Sequence, residues 1–119
     1  MQVILIVDDD PRIRFVLEQW FRFWGYDVLA ACNGSEALSQ VASEARRIDL
    51  VVSDVNMPVM KGDEAILRIR DARPDIGVIC MTASDNVDLP AAVRRVSKPF
   101  RLVDMLESVR QELRTGEIC

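Results

Sequence analysis

The chain has 119 residues, half of them apolar and 29% charged, with a formal net charge of -4 and no histidine. That is the length of one domain with a real core, expected to span residues 1-119, and its acidic balance leaves no broad basic face for direct contact with nucleic acid. No run approaches the roughly 18 consecutive apolar residues of a membrane span. Without histidine the commonest general base is missing, and with it the Ser-His and Cys-His catalytic pairs. Cys32, Cys80 and Cys119 stand at wide spacing with no histidine to complete a zinc set. They read as reduced thiols of a cytoplasmic protein, Cys80 as a small core residue.

The aliphatic run Val3 to Val7 predicts a strand covered on both faces. Three aspartates follow it, without a basic n-region or a small-residue cleavage site, so the opening stretch is not read as a signal peptide. Asp10 is the expected cap of a helix with Pro11 at its first position, an inner face of Ile13, Val16, Leu17, Trp20, Phe21 and Trp24, and Gly25 at its end. Tyr26 to Ala31 gives a second strand. Asn33-Gly34 is a turn, and Ser35 caps a helix with Leu38, Val41, Ala42 and Ala45 inward. Asp49 to Asp54 is strand three, and a loop through Gly62 leads to a helix from about Asp63 to Ala72 with Ile66 and Ile69 inward, ended by Pro74. Gly77 to Met81 is strand four, and strand five falls near Ala92 to Ser97. A last helix after Pro99 carries Leu102, Leu106, Val109 and Leu113 on one face, with a fraying tail over 115-119. Strands and helices alternating at these lengths imply a parallel sheet covered by helices on both sides.

The chemistry gathers at strand ends. Asp8, Asp9 and Asp10 follow strand one, and Asp54 ends strand three before a loop marked by Asn56, Pro58 and Gly62. In an open parallel sheet the carboxyl ends of the strands are where ligands bind. Several carboxylates there repel one another unless some protonate or a cation joins them, and an all-oxygen set selects a hard ion such as Mg²⁺. Thr82 after strand four and Lys98 after strand five add a hydroxyl and an ammonium to that edge, as a phosphoryl group on Asp54 would require. Taken singly, the aspartates could be a solvated turn, Thr82 a helix cap and Lys98 a surface lysine.

Together, Val7-Asp8-Asp9-Asp10, Asp54-Val55-Asn56-Met57-Pro58 with Lys61-Gly62, Thr82-Ala83 and Lys98-Pro99-Phe100 resemble a response regulator receiver domain of two-component signalling, chemotaxis-regulator-like, over essentially the whole chain. The resemblance implies a flavodoxin-like, doubly wound (βα)5 fold with a five-stranded parallel sheet in the order 2-1-3-4-5. It implies Asp54 as the phosphoacceptor, taking a phosphoryl group from the phosphohistidine of a histidine kinase or histidine phosphotransfer protein. Asp9, Asp54 and the Asn56 backbone carbonyl would hold Mg²⁺ (or Mn²⁺), with Asp8 acting through water. Lys98, before a cis Lys98-Pro99 bond, would pair with the phosphoryl oxygens, and the Thr82 hydroxyl would report them to an output domain or target protein. Asn56 and Ser84 would flank the water path that sets self-dephosphorylation.

Two departures qualify the resemblance. Receivers usually carry Tyr or Phe three residues before the strand-five lysine; here the switch position is Arg95, which cannot bury and flip in the same way without a partner. The interval from Thr82 to Lys98 is shorter than the family's and contains Pro90, so the fourth helix is expected to be short or missing. All aromatic residues but Phe100 fall between Phe15 and Tyr26. Phe15 and Phe23 project away from the core face, where the resemblance places donor docking. Two other classes remain in view. A receiver-like interaction domain would signal without phosphorylation, and a haloacid-dehalogenase-like phosphatase also uses a strand-end Asp with Mg²⁺ but wants a second Asp where this chain has Asn56.

Overall fold

The computed structural model describes residues 2-43, 47-55, 62-83 and 93-118, with 62, 63 and 115-118 described in backbone only. Its strands are β1 (Val3–Val7), β2 (Asp27–Ala31), β3 (Leu50–Asp54), β4 (Gly77–Thr82) and β5 (Arg94–Ser97). Its helices are α1 (Pro11–Phe23), α2 (Gly34–Ala42), α3 (Gly62–Ala72) and α4 (Leu102–Ile118). All strand pairs are parallel, as the alternating elements predict, and their order is β2-β1-β3-β4-β5, the doubly wound flavodoxin-like order that the resemblance implies.

The central strands have no solvated face. Residues of β1 are buried without interruption, and alternate side chains enter different cores. Val3, Leu5 and Val7 join Val51, Val78 and Cys80 under α2 and α3, through Ala37, Val41, Ile66 and Ile69. Ile4 and Ile6 join Leu50, Val52, Ile79 and Met81 under α1 and α4, through Leu17, Phe21, Met105 and Val109. Two apolar layers thus clamp the sheet and fix the level of its strand ends.

Local chemistry sets the helix boundaries. The Asp10 side chain accepts from the Arg12 amide at 2.9 Å with Pro11 behind it, as expected for the start of α1. At its other end the amide of Gly25 donates to the Arg22 carbonyl and that of Tyr26 to the Phe21 carbonyl, closing a Schellman motif. Gly25 adopts φ 92°, a conformation open to glycine, and the Tyr26 and Phe21 rings meet edge to face across the motif. Tyr26 thereby belongs to the cap, and β2 begins one residue later than the sequence suggests.

Other expectations need correction. α2 is capped by Asn33, which accepts from the Glu36 amide at 2.8 Å, and not by Ser35. Its buried stripe is Gly34, Ala37 and Val41, with Leu38 partly buried and Ala42 exposed; Ala45 lies outside the described residues. Val16 and Trp24 are exposed because α1 covers the sheet mainly through Leu17 and Phe21. Trp24, at the cap, has left the helical stripe, and Arg110 of α4 sits over its ring at 5.2 Å. The backbone of α4 is helical through Ile118, where the sequence suggested a tail from Thr115. Among the described residues no helix lies between β4 and β5; the segment of the expected short fourth helix, 84-92, lies outside them. No helix among the described residues is long and apolar enough to cross a membrane.

The neighbouring phenylalanines of α1 test this division of the helix. Phe21 is fully buried and Phe23 is 76% exposed. Phe21→Ala is expected to cost about 3–5 kcal/mol of unfolding free energy in a denaturant titration, whereas Phe23→Ala should stay within about 0.5 kcal/mol. Equal costs would contradict the packing described.

Candidate functional site

The order β2-β1-β3 places the switch in chain direction between β1 and β3, and both strands end on acids. Val7 is in register with Ser53, so Asp8 and Asp54 leave the sheet side by side; Asp54 is in turn level with Met81 of β4, one residue before Thr82. The neighbouring ends are tied together by the Val55 amide on the Met81 carbonyl (3.1 Å) and the Lys98 amide on the Thr82 carbonyl (2.7 Å). Asp8, Asp54 and Thr82 are all buried, and the Lys98-Pro99 peptide bond is cis.

Asp8, Asp9 and Asp54 each present a carboxylate oxygen within 4.8 Å of the others. Lys98 Nζ lies 3.4 Å from Asp8 Oδ2 and 3.3 Å from Asp54 Oδ2, one ammonium shared by two buried acids. Burial pushes the Asp8 carboxyl above its ordinary range, although the Asp10 amide and Lys98 act against that rise. Three carboxylates against one ammonium leave a concentrated negative charge on oxygen ligands, with Asp9 at the solvent side. A hard divalent cation fits this donor set in both charge and ligand type.

Four sequence-predicted residues, Asp8, Asp9, Asp54 and Lys98, are therefore brought together, with Thr82 at the adjacent strand end. Asn56 and Ser84 lie outside the described residues. Arg95 is exposed on β5, so no buried side chain occupies the switch position. Phe15 is 62% exposed near the start of α1. Phe23, eight residues on, stands roughly 12 Å farther from the site along the helix axis, at 1.5 Å per residue. The two share a shallow groove with Val16, Gln19, Trp20 and Leu102, so an apolar strip runs along α1 beside the first residue of α4.

One residue at the site escapes the strand-end pattern. Arg14, half buried on α1, donates from Nη1 to the backbone carbonyl of Asp8 at 2.7 Å. A contact from side chain to main chain across six residues has no signature in spacing or composition.

Comparison with known proteins agrees with this geometry. Residues 4–110 match the response regulator receiver domain. Among curated relatives, the chain is 39% identical over 117 residues to the response regulator MprA of Mycolicibacterium vanbaalenii, covering 93% of this chain and 50% of that protein. It is 36% identical over 116 residues to sporulation initiation phosphotransferase F of Bacillus subtilis, covering 92% of each. The chain thus spans about half the length of the MprA proteins it matches and nearly all of the phosphotransferase. Among solved structures, a CheY-like receiver domain protein from Methanospirillum hungatei superposes with a TM-score of 0.91 at 29% identity, covering 98% of this chain and 97% of that one. The response regulator TrrA of Thermotoga maritima, solved in complex with Mg²⁺-BeF, superposes at 0.83 with 35% identity, covering 93% of this chain and 98% of that one. Sheet order, acidic cluster and match over residues 4–110 converge: the chain belongs to the response regulator receiver domain family, the signal-receiving modules of two-component systems.

Proposed function

We propose that Asp54 is the phosphoacceptor of this receiver domain and that the phosphoryl donor is a phosphohistidine on a histidine kinase or histidine phosphotransfer protein. The observation that carries the reading is the gathering of Asp8, Asp9 and Asp54 within 4.8 Å around a strand end, with Lys98 3.3 Å from Asp54. An Asp54 carboxylate oxygen attacks phosphorus, the bond from phosphorus to the donor imidazole breaks, and the imidazole leaves with the bonding pair. The acceptor needs no base of its own, so a chain without histidine is equipped for it.

Lys98 neutralises oxygens of the incoming group, and the Thr82 hydroxyl, on the neighbouring strand, donates to one of them. Asp9 and Asp54, with the Asn56 carbonyl, would hold Mg²⁺ (or Mn²⁺), with Asp8 acting through water. When bound, the ion supplies charge neutralisation for the carboxylates and the phosphoryl oxygens. Asn56 and Ser84 tune hydrolysis of the acyl phosphate. Catalysis is confined to the module's own phosphorylation and dephosphorylation, in the cytoplasm, and the signal passes to an output domain or target protein without direct nucleic-acid contact by this domain. Phe15, with Phe23 farther back, supplies apolar contact for the donor's helices. The second reading, an interaction domain that works without phosphorylation, is favoured by Arg95, which leaves strand five without the usual aromatic relay.

The proposal predicts that acetyl phosphate and Mg²⁺ add one labile phosphoryl group, seen by intact mass, and that Asp54→Asn abolishes the gain. No gain with acetyl phosphate or with a cognate phosphodonor would favour the interaction domain, and steady turnover of free phosphate esters would favour a phosphatase. Phe15→Ala should slow transfer from the protein donor while leaving acetyl phosphate labelling unchanged, with a smaller effect for Phe23→Ala; equal slowing of both reactions would remove Phe15 from the docking surface.

The buried acid adds a prediction for the protein without metal. Because Asp8 holds its proton more tightly folded than unfolded, its contribution favours folding below the ordinary value of 3.8 and is lost as pH rises through the higher folded value. At neutral pH its charge opposes folding. Asp8→Asn, which keeps an acceptor for the Asp10 amide, should raise Tm in EDTA by several degrees, and a lower Tm would contradict the account.

A further inference from the structure

We propose that Arg14 is a positioning residue for the cation site, holding the turn after β1 so that Asp9 and Asp54 meet one ion. This rests on the reading of the acidic cluster as a Mg²⁺ site given above.

Every polar atom of Asp8 has a partner, and the partners come from different parts of the fold. Its amide donates to the Ala31 carbonyl at the end of β2 (3.2 Å). Its Oδ1 accepts from the Asp10 amide (2.9 Å), and its Oδ2 faces Lys98 after β5 (3.4 Å). Its carbonyl accepts from Arg14 Nη1 at 2.7 Å. The Arg14 backbone amide donates to the Asp10 carbonyl at 3.1 Å, so side chain and main chain of one α1 residue grip the turn at both ends. Between those grips lies Asp9, the exposed member of the acidic cluster. The Asp8 carbonyl belongs to the peptide before Asp9 and the Asp10 amide to the peptide after it, so Arg14 Nη1 holds the first plane and Asp8 Oδ1 the second, and together they restrict the directions the Asp9 carboxylate can take. Groups that orient a metal ligand through a hydrogen bond typically account for roughly 10–100-fold in metal affinity.

The sign of the effect separates positioning from charge. A guanidinium beside an acidic cluster repels a cation, so if Arg14 acted through its charge alone, its removal would tighten binding. If it acts by holding the turn, removal weakens binding despite the lost repulsion.

Mg²⁺ titration of the purified full chain, followed by calorimetry, provides the test, with wild type, Arg14→Met and Arg14→Lys compared. Arg14→Met is expected to raise the Mg²⁺ Kd about tenfold or more, and Arg14→Lys, which keeps the charge but loses the planar fork, to fall between. In EDTA, amide exchange at Asp10 should accelerate in Arg14→Met. The initial rate of acetyl phosphate labelling should fall at low Mg²⁺ and recover at saturating Mg²⁺. An unchanged or tighter Kd in folded Arg14→Met would overturn the inference, as would a rate deficit that persists at saturating Mg²⁺. So would failure of both variants to fold, which would assign Arg14 to stability. If wild type itself binds no Mg²⁺, the Mg²⁺ reading fails first and takes this inference with it; normal wild-type binding with an unaffected Arg14→Met overturns the inference alone.

Discussion

Three carboxylate oxygens held within 4.8 Å is the constraint on which the rest of this structure turns. Left to themselves such groups separate, protonate or recruit a cation. Here they cannot separate, because Asp8 and Asp54 are fixed in register at the ends of adjacent strands buried on both faces. One of them, Asp8, has its carboxyl raised by burial, and Lys98 divides its charge between two. The fold thus stores at its carboxyl edge an electrostatic imbalance that a divalent cation would relieve.

That imbalance is affordable because the sheet beneath it is apolar on both faces. Leu17 and Phe21 from α1, with Met105 and Val109 from α4, close one layer, and Ala37, Val41, Ile66 and Ile69 close the other. The helices then divide their surfaces. α1 gives Phe21 to the core, the Arg14 guanidinium to the Asp8 carbonyl, and Phe15, Val16 and Phe23 to solvent, so a single helix links packing, the turn after β1 and an exposed apolar surface.

The strand ends were legible in the sequence because burial on both faces leaves continuous aliphatic runs, and a carboxylate that interrupts such a run has to lie at its mouth. Val3–Val7 and the end of β3 at Asp54 follow from that logic, and Gly25 after an apolar helix stripe marks the end of α1. The cap of α2 was misread because Asn33 and Ser35 both suit the role, and only the backbone shows that Asn33 reaches the Glu36 amide. Trp24 and Val16 fit the helical stripe on spacing, but spacing does not say where the stripe leaves the sheet. Arg14 was invisible for a different reason: its contact is with a main-chain oxygen, and main-chain atoms leave no trace in residue identities. The departure at Arg95 was legible as chemistry, since a guanidinium does not replace a buried aromatic ring, and it stands exposed on β5.

The central claim is that Asp54 carries the phosphoryl group. An acyl phosphate is reduced by borohydride to the alcohol, so trapping the phosphorylated wild-type chain and mapping its peptides by mass identifies the modified residue directly. The account predicts homoserine at position 54 alone, with none in protein that was not phosphorylated. Homoserine at position 8 or 9, or a stable phosphoryl group on a hydroxyl side chain, would contradict it.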